Sequence, residues 1–298
     1  MRQLTVTAPA KINLSLDVVG RRPDGYHLLE TVMQSISLAD QITVQSSDES
    51  GIQLTCDDPA VPTDSRNTAH RAALLFQEAV GRNGLSGPGI KVQIKKRIPL
   101  AAGLAGGSAD AAAVLFALNQ LALRRLSDLD LADLALRVGA DVPFCLRGGT
   151  VFCTGIGDQL MPLAAWSDVA VLLCCPDLPL LTATVFGRFD MSRPGRRPNR
   201  STVLEAVRQQ CLHDLAQVSA NVLESVSLKM VPELAELKHV LRDAGAHMAL
   251  MSGSGPSIYG LFSDEAACQQ AYDTLTDLLR PGIRLLTCRF RAVGPTLV

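Results

Sequence analysis

Aromatic residues are scarce in this chain: Phe, Tyr and Trp supply 4% of its 298 residues, with one Trp and three Tyr. Few rings are available to stack on successive bases. The 28 Lys plus Arg are balanced by 29 Asp plus Glu, so no basic footprint faces a phosphate backbone. Both absences argue against nucleic acid as a partner. A long apolar run is also missing. Asp168 and Asp177 bracket the most apolar stretch, Val169 to Cys175, well short of the ~20 residues that a membrane span needs. No CxxC pair occurs among the cysteines (Cys56, Cys145, Cys153, Cys174, Cys175, Cys211, Cys268 and Cys288), and most lie in apolar runs. Buried thiols in a reducing cytoplasm are the economical reading. After Arg2 the chain alternates at once through Leu4, Val6 and Ala8 to Lys11, which reads as a first strand and not a secretion signal.

What is present is an apolar globular composition, 47% hydrophobic and 19% charged, in a chain long enough for about two domains of ~150 residues. No internal repeat occurs. Residues Ser192 to Ser201, where Pro194, Gly195 and Pro198 interrupt four arginines, read as an exposed loop. Strands are predicted at Leu4 to Thr7, Lys11 to Val18, Thr31 to Ser37 and Ile42 to Gln45. A helix capped by Asn67 follows, running to about Arg82, then a strand at Ile90 to Lys96. A glycine loop leads into a helix over Ala109 to Leu121, a second helix spans Ser127 to Val138, and Gly149 to Cys153 is a strand. A boundary is expected near residues 155 to 168. Beyond it come strands at Val169 to Cys174, Met248 to Met251, Ser257 to Phe262 and Arg284 to Arg291, and helices near Val203 to Gln210, Pro232 to Ala244 and Asp264 to Leu279. Strands and helices mixed in two blocks indicate an α+β architecture.

Four segments carry candidate chemistry. Residues Pro99 to Asp110, PLAAGLAGGSAD, put three glycines and four alanines between a strand and a helix, leaving backbone N–H groups uncovered at a positive dipole end where an anion could sit. The stretch is equally compatible with a plain turn in which Ser108 or Asp110 caps the helix. It lacks the GxxxxGK[ST] and GxGxxG spacings. Asp110 would repel a phosphate unless it faces away or binds a cation. Lys11 and Asn13 share one face of a strand. The turn Pro23-Asp24-Gly25 projects Tyr26 and His27, which could clamp a flat base. In Gly139 to Phe144, Asp141 sits among apolar residues, as either a structural acceptor or a base. In Met251 to Gly260, MSGSGPSIYG, a tight turn offers further exposed amides, or simply closes a hairpin.

Together these segments resemble the GHMP kinases, the small-molecule kinases named for galactokinase, homoserine kinase, mevalonate kinase and phosphomevalonate kinase. The resemblance rests on APAKINLSLDVVGRRPDGYHLLETVMQSISLAD at Ala8 to Asp40, IPLAAGLAGGSADAA at Ile98 to Ala112, GADVPFCLRGGT at Gly139 to Thr150 and MSGSGPSIYGLF at Met251 to Phe262. It implies a two-domain α+β fold: a ribosomal-protein-like βαβ domain for ATP binding and catalysis over residues 1–160, and an α/β sandwich for substrate over 161–298. Agreement is closest with the branch that transfers the γ-phosphate of ATP, with Mg²⁺, to the tertiary 2-hydroxyl of a cytidine-diphosphate sugar-alcohol in non-mevalonate isoprenoid synthesis. The resemblance makes Asp141 the general base and Lys11 the cation that orients it. It assigns ATP to Lys96, Pro99, Leu100, Ala101, Ala102, Gly103, Leu104, Ala105, Gly106, Gly107, Ser108 and Ala109. Substrate falls to Asn13, Tyr26, His27, Asp141, Thr182 and Phe186, the last facing Tyr26 across the base. Protein ligands of the metal are not implied, and a monomer or homodimer is expected. Many members have a second Ser where this chain has Ala109. A mevalonate-, homoserine- or sugar-type kinase is the nearest alternative, but such acceptors carry no base for Tyr26 and His27. An RNA-binding module built on the ribosomal-protein-like half is opposed by the near-zero net charge.

Overall fold

The computed structural model describes residues 2–81, 89–122, 126–178 and 180–298. Its first sheet grows from two long strands, β1 (Gln3–Arg21) and β2 (His27–Ser47), paired antiparallel from Gln3↔Gln45 to Arg21↔His27. The sequence pattern breaks each of them into two. Bulges between Pro9 and Lys11, Asn13 and Ser15, and Val18 and Gly20 explain this for β1, because each shifts the register and interrupts the alternation. The chain continues through β3 (Ile52–Cys56), α1 (Thr68–Gly81), β4 (Gly89–Lys95), α2 (Gly106–Leu121), α3 (Asp128–Val138), α4 (Val142–Arg147), β5 (Thr150–Thr154) and β6 (Gln159–Pro162). Strand order is β3-β4-β2-β5-β6, with β1 paired to β2. Helix α2, whose buried positions are mostly Ala and Leu with Asp110, Val114 and Asn119 among them, packs on β1 and β2, and α1, α3 and α4 surround it. Such small side chains allow close helix–sheet approach. The predicted end of α1, Arg82, lies outside the described residues.

The second half comprises β7 (Ala170–Pro176), α5 (Thr182–Arg188), α6 (Arg200–Arg208), α7 (Leu212–Val218), α8 (Glu224–Met230), α9 (Glu233–Asp243), β8 (Met248–Met251), β9 (Ile258–Phe262), α10 (Glu265–Leu278) and β10 (Ile283–Arg289). Its antiparallel sheet has the order β10-β7-β9-β8. The apolar run of β7 divides by period: Val171, Leu173 and Cys175 join the core shared with the first sheet, whereas Ala170, Leu172 and Cys174 face a second core under α9 and α10. A sheet covered on both faces produces the uninterrupted hydrophobic stretch seen in the sequence. After β10 the chain returns to the first sheet, where Phe290 bridges Ile36 and Leu297 bridges Val6.

The sequence pattern misses α4, α5, α7, α8, β3 and β6. The four helices have seven residues or fewer, about two turns, too short for a 3.6-residue period to show. It also starts α2 three residues late. The helix begins at Gly106, and its N-cap is Ala105 in the left-handed conformation (φ 57°), not Ser108 or Asp110.

Candidate active site

A cleft of about 360 Å³ opens where the glycine loop, β1, the segment entering α5 and the loop after β8 meet. Most residues singled out from sequence line it: Lys11, Asn13, Lys96, Pro99, Leu100, Ala101, Ala102, Gly103, Ala105, Gly106, Gly107, Asp141, Thr182 and Phe186. The side chains of Leu104 and Ala109 are instead buried in the core, at 1% exposure each, and Ser108 is half-buried on the first turn of α2. Leu104 contributes its carbonyl, which accepts from the Lys11 amide at 3.1 Å and fixes the loop against β1. With α2 starting at Gly106, Ala109 sits in its first turn with its side chain buried, and Ser108 supplies that turn's hydroxyl.

The glycine loop leaves the first backbone donors of α2 uncovered, where an anion could sit. Ala105 has no side chain able to cap α2, so the N–H groups of Gly106, Gly107 and Ser108 meet no side-chain acceptor. Gly103 (φ +74°) is required by close approach, because a Cβ there would overlap the Ser252 carbonyl oxygen. The Ser252 hydroxyl in turn donates to the Gly103 carbonyl at 2.9 Å, so the first and third glycine segments are stitched together. Asp110 is held by a cation. Its Oδ2 accepts from Lys96 at 2.9 Å, and Lys96 also pairs with Asp40. Two carboxylates around one buried ammonium leave a surplus negative charge. Burial, with the Asp40 charge adding and Lys96 opposing, pushes Asp110 up to about 8. Burial opposes the charge on Lys96, but the two carboxylates outweigh it and raise the ammonium above its ordinary range.

Lys11 and Asn13 lie on one face of β1, as the alternation requires, and the Lys11 ammonium donates to Asn13 Oδ1 at 2.8 Å. Gly253 approaches so closely that a Cβ there would lie 3.5 Å from that ammonium and 3.6 Å from Asn13 Oδ1. Asp141 stands at the N-cap of α4 without capping it, which leaves its half-buried carboxylate free at the cleft wall. Lys11 and Asp141 share the cleft but are not joined as an ion pair. Burial, with the Asp141 charge adding, pushes the thiols of Cys145 and Cys153 up, so both stay neutral.

Tyr26 and His27 are not among the residues that line the cleft; His27 packs against Phe186, which does line it (5.2 Å between centroids), and edge-on to Phe189 (6.4 Å). Burial and the Arg21 charge hold His27 below its ordinary pKa, so it is neutral near pH 7 and carries one N–H and one lone pair. Tyr26 is 61% exposed beside it. The Thr182 hydroxyl shares a 2.9 Å hydrogen bond with Ser254 Oγ. Several contributors escape sequence reasoning. Leu16, Leu29, Met33, Leu180 and Leu223 form an apolar wall that reads in sequence as ordinary core. Asn221, whose carboxamide donates to the carbonyls of Met251 (2.8 Å) and Gly253 (2.7 Å), braces the third glycine segment. Thr31 and Tyr259 hold Asn13, the tyrosine hydroxyl donating to its carbonyl at 2.8 Å. Only the pairing of distant strands brings these together. Among the described residues no three His, Cys, Asp or Glu side chains converge as a metal site, and no helix is long and apolar enough to cross a membrane.

The GHMP kinases N terminal domain model matches residues 67–149 and the GHMP kinases C terminal model residues 203–280. A 4-diphosphocytidyl-2-C-methyl-D-erythritol kinase of Alkaliphilus metalliredigens is 41% identical over 280 residues, covering 94% of this chain and 95% of its own. One from Acetivibrio thermocellus is 42% identical over 275 residues, covering 92% and 95%. The crystal structure of a 4-(cytidine 5'-diphospho)-2C-methyl-D-erythritol kinase superposes with a TM-score of 0.80 at 34% identity, covering 98% of this chain and all of that one. A homoserine kinase from Cytophaga hutchinsonii reaches a TM-score of 0.78 at 21% identity, which is a likeness of fold alone. With both domain models matched in order and such identity along nearly the whole chain, this protein belongs to the GHMP kinase family, in its group of 4-diphosphocytidyl-2-C-methyl-D-erythritol kinases.

Proposed function

We propose that this kinase transfers the γ-phosphate of ATP to the 2-hydroxyl of 4-diphosphocytidyl-2-C-methyl-D-erythritol, giving the 2-phosphate and ADP in non-mevalonate isoprenoid precursor synthesis. The observation that carries the reading is one cleft holding an uncapped helix N-terminus, a lysine and an unpaired carboxylate, with a phenylalanine in its lining against which a neutral histidine packs from outside. A tertiary alcohol is a poor nucleophile. Asp141 takes its proton as the oxygen attacks the γ-phosphorus and the bond to the β-bridging oxygen breaks. Lys11 supplies N–H donors to the oxygen that becomes negative, and the amides of Gly106, Gly107 and Ser108 hold the phosphates. Lys96 lines the cleft but is already paired with Asp40 and Asp110, so it adds a shared positive charge beside the glycine loop and is not a free ligand of the nucleotide.

Mg²⁺ fits this site as a cation carried on the nucleotide phosphates, since the described residues build no three-carboxylate cage and Ser108 is the hydroxyl on the first turn of α2. When bound, it offsets charge on the transferring phosphoryl group. Tyr26 and Phe186 would stack on cytosine while His27 reads its edge with one donor and one acceptor.

An ADP-release assay against the cytidylyl alcohol, mevalonate, homoserine and a hexose tests the assignment. Turnover of the first alone is expected, and turnover of homoserine or mevalonate instead would overturn it. Asp141→Asn is expected to lose ~10²-fold or more in kcat with ATP and acceptor affinities retained. Near-normal turnover would remove Asp141 from the role of base.

A further inference from the structure

The Lys11 ammonium ends a hydrogen-bonded chain whose direction is dictated from its other end. The carbonyl of Ser15 can only accept, so the Thr31 hydroxyl, 2.6 Å away, commits its single proton there. The Thr31 oxygen then has only lone pairs to offer Asn13, 2.8 Å away, and the carboxamide must present Nδ2 to it. That leaves Oδ1 facing Lys11 Nζ at 2.8 Å. All four residues are buried (Ser15 4%, Thr31 0%, Asn13 1% and Lys11 5% exposed), so solvent does not substitute for any link. The two ends of a carboxamide are nearly the same shape. Without the Thr31 hydroxyl both orientations fit, and the flipped one sets an NH₂ against an ammonium while leaving a buried acceptor unpaired.

We propose that Thr31 is a positioning residue of the transfer reaction: through Asn13 it fixes one N–H of Lys11 and thereby aims the other two at the reacting oxygens. Thr31 does not line the cleft; it acts two links away. The proposal rests on the role given to Lys11 above. Orientation of a catalytic group within about an ångström governs rate more than binding, so loss of the relay appears in kcat.

The test compares Thr31→Val, which keeps shape and loses the hydroxyl, with Thr31→Ser, which keeps the hydroxyl. Thr31→Val is expected to lower kcat ~10- to 100-fold per folded enzyme with KM for ATP and acceptor changed less than ~3-fold. Thr31→Ser is expected to stay within ~3-fold of the parent kcat. Thr31→Ala serves equally if the valine variant does not fold. A second readout is independent of the acceptor. The Asn13 side-chain amide protons, assigned in nitrogen-15 spectra by their loss in Asn13→Asp, are expected to exchange slowly in the parent and Thr31→Ser and ~10-fold or more faster in Thr31→Val. A wrong acceptor would fail in the substrate panel while leaving this spectral difference intact. Thr31→Val with a lowered melting temperature but parental kcat, or Thr31→Ser as slow as Thr31→Val, would overturn the proposal.

Discussion

At the residue scale, the site is decided by which charged groups have partners. Asp141 has none and Asp110 has Lys96, although both are aspartates beside the same cleft. Sequence shows two candidate carboxylates near glycine-rich segments and cannot rank them by environment. Burial separates them, because Asp110 is 3% exposed and must share one ammonium with Asp40. This has a consequence for stability. Asp110, held near 8 in the folded protein against an ordinary value of 3.8, binds a proton that the unfolded chain releases. Stability should therefore fall as pH rises between ~4 and ~8, by at most ~1.4 kcal/mol per pH unit for one proton. Lys96 is raised too, but its contribution is lost only above its ordinary value of 10.5, outside that window. Urea unfolding of Asp110→Asn at pH 6, 7 and 8 is expected to show a flatter dependence than the parent. An unchanged slope would mean that Asp110 is ionised throughout.

At the element scale, the cleft exists because β1 is held from three sides. The Leu104 carbonyl accepts from the Lys11 amide, Leu16 exchanges backbone hydrogen bonds with Ala220 and Val222, and Tyr259 reaches across from the second sheet to Asn13. Asn221 stands between the second and third contacts, 3% exposed, and its carboxamide fills two carbonyls of the third glycine segment. Asn221→Ala would leave both carbonyls buried without donors, and ~2 kcal/mol or more of stability should be lost. Because Gly253 abuts Lys11 and Asn13, kcat should fall as well, readable by steady-state kinetics beside denaturant melts. Stability loss with untouched kinetics would show that the loop keeps its place unaided. The glycine segments were legible in the sequence because small residues and turn formers leave local signatures, and Lys11, Asn13 and Asp141 through the resemblance of their segments to the GHMP kinases. Asn221, Thr31 and Tyr259 were not, since a buried asparagine or threonine inside an apolar pattern looks like any interrupted strand. Their roles depend on pairings such as Asn13 with Tyr259, 246 positions apart. The start of α2 was misplaced for a local reason: its N-cap is an alanine in a conformation that alanine seldom adopts, so the usual Ser or Asp signal pointed downstream.

At the scale of the whole molecule, the two sheets are one mechanical unit because the end of the chain returns to its beginning. Residues after β10 leave the second sheet, place Phe290 edge-on to Trp166 at 5.6 Å, and run back along β1, where the Thr7 amide donates to the Thr296 carbonyl at 2.9 Å and the Val298 amide to the Thr5 carbonyl at 3.0 Å. The same tail touches α4, since the Gly294 amide donates to the Arg147 carbonyl at 3.1 Å, at the last turn of the helix that Asp141 begins. Phe290 is 2% exposed and sits in the core common to both halves, so it is the bolt of this return. Phe290→Ala should cost ~3 to 5 kcal/mol, the range for deleting a buried aromatic side chain. If the return only joins the halves, turnover per folded molecule should survive at temperatures well below the melt. If it also steadies α4, kcat should drop together with stability while Phe290→Leu restores both. Denaturant unfolding with kinetics on the same samples separates these outcomes, and a loss under ~1 kcal/mol would mean that the halves hold together through their shared core without the tail.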